Sequence, residues 1–124
     1  MAVLVVAATA CGVLASCGDT SPGAASPSHP PGDASSGDEV IDRVGCGSCH
    51  VIPGIGDADG RVGPRLDGIA EQKVIAGRLP NSPENLARWI RQPQAVDPGV
   101  DMPDLGLTRR EAQDVTAYLL EEGG

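Results

Sequence analysis

Apolar residues fall along this chain in three regimes. From Met1 to Ser16 they form one Ala/Val/Leu-rich run without a charged side chain. From Gly18 to Gly37 they give way almost entirely to Gly, Ser, Pro, Ala and Asp. From Asp38 onward they recur at helical spacing between charges and Gly/Pro-rich turns. Val40, Ile41 and Val44 share a face, predicting a helix that leads from Asp38 into Gly45. Val51 to Pro64 has no period and reads as a loop, in which Asp57-Ala58-Asp59-Gly60 lacks the later acids of a calcium loop and reads as a turn. A short helix is expected over Leu66 to Glu71. Ser82 as N-cap, Pro83 at the first helical position and Glu84 near the helix dipole open another, with Leu86, Trp89 and Ile90 on one face and a stop before Pro93. Thr108-Arg109-Arg110-Glu111 is a capping box, and Ala112, Val115 and Leu119 continue as a stripe with Tyr118 alongside. No stretch alternates as a strand would. The pattern predicts an all-α domain of three to five short helices, covering 38–124 with its last apolar contacts near Glu122.

The first run is shorter than the roughly 20 residues a spanning helix needs. It ends in Leu14-Ala15-Ser16-Cys17, which resembles the lipobox of bacterial lipoprotein signal peptides. The resemblance implies cleavage before Cys17 and acylation of its thiol and new amino terminus. No Lys or Arg precedes the run, which departs from the usual signal pattern. Residues 1–16 are therefore expected to be a signal peptide, and 17–37 a lipidated Cys17 with a disordered linker. Cys11 would leave with the signal. His29, beside Pro30 and Pro31, reads as a solvated side chain. The linker composition cannot bury enough apolar surface to offset the entropy of ordering.

Composition changes the picture at the core. The 124 residues contain no Phe, one Trp and one Tyr, so an ordinary ring-filled interior is not available. A large buried cofactor would supply the missing apolar mass; an aliphatic core is the alternative. The net charge of −8 argues against nucleic-acid binding. Arg61, Arg65, Lys73, Arg78, Arg88 and Arg91 nevertheless cluster in one stretch whose acids are Asp67, Glu71 and Glu84. That stretch reads as a solvated mixed surface or as a patch that orients docking.

The chemistry is concentrated in Cys46-Gly47-Ser48-Cys49-His50. Two thiols three positions apart span the porphyrin vinyl groups, and the next residue brings an imidazole beneath the iron. Other uses of a Cys-x-x-Cys pair fit less well. A thioredoxin-like centre needs a strand running into the motif, where this chain has a helical pattern. A zinc site needs a second ligand pair, and none follows His50. Haem iron held by one His has a sixth position, and the domain offers one further soft ligand, Met102. It sits in Asp97-Pro98-Gly99-Val100-Asp101-Met102-Pro103, a loop stiffened by two prolines. Core filler is the usual role of Met, but a lone Met between prolines in an interhelical loop suits ligation better.

With these residues in view, the region from Asp38 to Glu122 resembles the class I c-type cytochromes. Besides the pentapeptide, Gly63-Pro64-Arg65-Leu66 is similar to the family's Gly-Pro-x-Leu element, and Asn85 to Pro93 to the helix before the Met loop. Pro98 to Met102 is similar to the ligand loop, and Ala117-Tyr118-Leu119 to the terminal helix that crosses the first. The resemblance implies a small cytochrome c fold, with short helices wrapped round one covalently attached haem c. It implies that Cys46 and Cys49 hold the haem, that His50 and Met102 are the axial ligands, and that the Pro64 carbonyl accepts a hydrogen bond from His50. Trp89 would stand near the haem, either tuning it or simply filling the core. Two departures matter. The first helix lacks the aromatic often found at the crossing, so Ile41 or Val44 must fill that place. Val100 replaces a hydroxyl that relatives use near a propionate, leaving Trp89, Lys73 and an arginine as candidate partners.

The function implied is single-electron transfer, not catalysis on a substrate, between a quinol-oxidising complex and a terminal oxidase or reductase. Export and Cys17 acylation would hold the protein, as a monomer, at the outer face of a bacterial cytoplasmic membrane. The competing readings are a haem sensor or peroxidase-like protein with an open sixth position, and a tethered dithiol redox protein.

Overall fold

The computed structural model describes residues 31–124; Cys11, Cys17, His29 and the apolar run lie outside the described residues. Helix α1 spans Ala34–Val44 and so begins earlier than the expected Asp38. The cause is local. The Asp33 side chain accepts the Ser36 N–H at 2.8 Å, and the Asp33 N–H donates to Asp114 Oδ1 at 2.8 Å. Residues 34–37, assigned to the linker from their composition, therefore belong to the first helix. Their smallness serves packing: a Cβ on Gly37 would lie 2.2 Å from the Asp114 carbonyl oxygen and 2.9 Å from Tyr118 Cβ.

After α1 come single 3₁₀ turns at Cys46–Ser48 and Ile69–Glu71. The second is shorter than the helix expected over Leu66 to Glu71, because Gly68 takes φ +74° and cannot continue a right-handed helix. A two-stranded antiparallel hairpin follows, β1 (Val74–Ile75) with β2 (Leu79–Pro80), in register Val74 to Pro80 and Ile75 to Leu79. The expectation of no strand is corrected here: two-residue strands are too short to carry a period of two. Helix α2 (Pro83–Arg91) has Ser82 as N-cap and Pro83 in its first turn, as expected. It ends before Pro93, which opens a short α3 (Pro93–Val96). Helix α4 (Arg109–Glu122) starts from the predicted capping box, with reciprocal bonds between Thr108 and Glu111.

Both α1 and α2 pack on α4, the first more extensively. Ile41 and Leu86 are almost wholly buried, and Ala112, Val115, Tyr118 and Leu119 supply the facing stripe. Ile41 thus sits in the core, as expected, while Gly37 lets the two backbones approach. The Arg43–Glu111 ion pair joins the same two helices at the surface. The Tyr118 hydroxyl crosses to the Pro53 carbonyl at 2.9 Å and pins the loop that follows the Cys-x-x-Cys-His turn. Burying one extra methyl at a close helix crossing costs about 1–3 kcal/mol. Gly37→Ala is expected to destabilise the holoprotein by that amount in denaturant unfolding.

Candidate haem site

Gly45, at φ +74°, ends α1 and turns the chain directly into the motif. The Ser48 N–H bonds to Gly45 O (3.1 Å), and the Cys49 and His50 N–H groups both bond to Cys46 O (3.1 and 3.0 Å). In so tight a turn, side chains three positions apart emerge on the same side. Cys46 and Cys49 are both half-buried, and neither is in a disulfide. Burial pushes the Cys46 thiol above its ordinary value.

His50 is held by the loop opposite. Its Nδ1 lies 2.7 Å from the Pro64 carbonyl oxygen. A carbonyl only accepts, so Nδ1 carries the proton and Nε2 keeps a free lone pair. Residues 60–66 run beside the motif through bonds from Gly60 N–H to Gly47 O (3.0 Å), Gly63 N–H to Cys49 O (2.8 Å) and Leu66 N–H to Val51 O (2.9 Å). Three glycines make that approach possible. A Cβ on Gly63 would lie 2.3 Å from His50 Cε1, one on Gly60 2.5 Å from the Cys49 backbone, and one on Gly47 2.9 Å from Ala58. These features fit covalent haem: two accessible thiols on one turn, followed by an imidazole of fixed tautomer with its metal-binding nitrogen free.

Trp89 and Met102 come from another part of the fold. Trp89 is half-buried on α2 and packs against the core cluster. Met102 is half-buried in the loop between α3 and α4, and its carbonyl accepts from Gln94 Nε2 at 3.4 Å. The hydrogen bonds thus gather Cys46, Cys49, His50 and Pro64 into one unit, while Trp89 and Met102 are set by separate elements. The basic stretch is partly neutralised, with Arg65 paired to Asp67 at 2.8 Å and Arg78 to Asp97 at 3.2 Å. The sequence reading missed Gly47 and Gly60, whose need for smallness shows only when the loops are apposed. It also missed Asn81, whose Nδ2 donates to Ile69 O (2.7 Å) and Gln72 O (2.8 Å) and ties the second 3₁₀ turn to the start of α2.

A helical fold that presents paired thiols and a preset imidazole defines a covalent haem protein. Residues 34–122 match the family model described as cytochrome c, and the chain belongs to the cytochrome c family. With that family goes a covalently bound haem c. Among curated proteins it is 37% identical over 87 residues to cytochrome c oxidase subunit 2 of Alkalihalophilus pseudofirmus, covering 69% of this chain and 25% of that one. It is 33% identical over 86 residues to the same subunit of Bacillus sp. strain PS3, covering 66% and 24%. The chain therefore spans about a quarter of the length of these relatives. Among solved structures it resembles ferric cytochrome c-550 from Paracoccus versutus, with a TM-score of 0.57, 18% identity, and coverage of 75% of this chain and 99% of that one. At that identity the likeness concerns the fold.

Gly63→Ala would force the imidazole away from the Pro64 carbonyl. The expected result is a loss of about 1–3 kcal/mol in holoprotein stability and, with His50 as the iron ligand proposed below, a rise in reduction potential, since a less basic imidazole stabilises the ferric form less. Gly56→Ala, where a Cβ meets nothing within 4 Å, is the control and should change neither. Denaturant unfolding and redox titration of both variants check this.

Proposed function

We propose that this chain is a membrane-tethered mono-haem electron carrier in which Cys46 and Cys49 form the thioether links and His50 and Met102 are the axial ligands. The observation that carries the reading is the Nδ1 to Pro64 hydrogen bond, which leaves Nε2 as the donor for iron. When bound, the haem supplies a one-electron ferric/ferrous couple whose potential is raised by His/Met ligation. The polypeptide's part is to hold both ligands through the cycle. Pro64 orients and strengthens His50, the proline-flanked loop carries Met102, and Trp89 on α2 packs against the core. Keeping both ligands limits reorganisation and leaves no open position for oxygen chemistry.

A terminal oxidase is the proposed acceptor. The support is the similarity to two proteins named cytochrome c oxidase subunit 2. A quinol-oxidising complex is the proposed donor. The proposed attachment is acylated Cys17 on the exported chain, supported by the resemblance of Leu14-Ala15-Ser16-Cys17 to a lipobox. Multiple acyl chains, at about 0.8 kcal/mol per buried CH₂, would hold it firmly at the outer face.

The ferric holoprotein is expected to show the weak far-red band of thioether ligation, and Met102→Ala to abolish it and lower the potential. Retention of the band in that variant would leave the sixth position to another group. Cys17→Ser should move the protein from the membrane to the soluble fraction on cell fractionation; a variant that stays with the membrane contradicts the anchor.

A further inference from the structure

The geometry points to Arg78 and Asp97 as a clamp that holds the Met102 loop in place, making Arg78 a positioning residue for the sixth ligand. This inference rests on the proposed ligation by Met102. Two of the three guanidinium nitrogens each face one carboxylate oxygen: Arg78 Nη2 donates to Asp97 Oδ1 at 3.2 Å, and Nε lies 3.2 Å from Oδ2. Single-point ion pairs at a surface contribute little; a two-point fork is the geometry in which such pairs count. The Asp97 side chain is the more sheltered partner, 27% exposed against 58% for Arg78.

Asp97 is also where the ligand loop begins. Its backbone N–H donates to Pro93 O (2.8 Å) and its own carbonyl accepts the Val100 N–H (3.1 Å). Its Oδ1, besides taking Arg78, accepts the Gly99 N–H at 3.2 Å. One carboxylate therefore fixes the bend that leads to Met102. At the far side of that bend, Gln94 reaches the Met102 carbonyl.

Arg78 is itself delivered by a rigid arm. It follows the hairpin turn, where Ala76 (φ +53°) and Gly77 (φ +62°) both take left-handed conformations. A left-handed Ala is strained, and it persists where surrounding structure holds it. Here the Arg78 N–H to Ile75 O bond (3.1 Å) and the nearly buried Ile75 do so. The hairpin thus serves as a strut from the core to the ligand loop, and the pair is its point of contact.

If the clamp holds the loop, breaking it should let an added ligand displace Met102 more easily. In ferric holoprotein, imidazole titrated against loss of the far-red band should bind Arg78→Ala and Asp97→Asn about two- to five-fold more tightly than the unaltered protein. Asp97→Asn keeps an acceptor for the Gly99 N–H, so it isolates the charge. Arg78→Lys, which keeps the charge but not the fork, should fall between. The double variant should show no more than the larger single effect. High salt should raise imidazole affinity in the unaltered protein towards that of Arg78→Ala. A merely structural role for Arg78 would shift unfolding without moving imidazole affinity. A holoprotein lacking the band, or keeping it in Met102→Ala, would overturn the ligation and this inference with it. A holoprotein whose band depends on Met102, but whose imidazole affinity is unmoved by Arg78→Ala and Asp97→Asn, would overturn the clamp alone.

Discussion

The hydrogen bond from His50 Nδ1 to the Pro64 carbonyl is the constraint around which this domain is organised. It fixes the tautomer, and with it the only nitrogen free to bind metal. To make it, the loop that follows the Cys-x-x-Cys-His turn must fold back against it without side chains between them. Gly47, Gly60 and Gly63 meet that demand, each at a place where a Cβ would collide. The loop is in turn tied to α4 through the Tyr118 hydroxyl on Pro53. The helix crossing and the site are therefore one packing problem, solved by small residues at the contacts and by an aromatic that reaches across.

The domain achieves this with an interior of aliphatic side chains, one buried Tyr and one half-buried Trp. A chain so short of rings needs its haem as more than a redox centre, because the cofactor is also the largest apolar body in the fold. Membership of the cytochrome c family makes the early observation about composition intelligible.

Much of this was legible in the sequence, and the remainder failed for identifiable reasons. The helix starts at Ser82 and Thr108 were readable because capping is a local code, written in three or four consecutive residues. The Cys-x-x-Cys-His pentapeptide is local in the same way. The start of α1 was not, because Asp33 is stabilised by Asp114 on a helix far along the chain, and Gly and Ser before Asp38 look like linker until α4 is placed against them. The hairpin escaped notice because its turn, not its two-residue strands, defines it, and Ala76 gives no sign of a positive φ. Gly63 and Pro64 were recognised through resemblance to relatives, whereas the close approach that makes Gly63 necessary appears only with His50 beside it.

The attachment of Asp33 to α4 has a mechanical consequence. Asp114 is buried, and it receives both the Asp33 N–H and Arg110 Nε (3.0 Å) just where the chain enters α1. A pull on the chain ahead of Asp33 would therefore pass into the long terminal helix first. From that helix the load reaches the loop beside the Cys-x-x-Cys-His turn by one bond, Tyr118 to Pro53, so the entry of the chain and the site share a single brace.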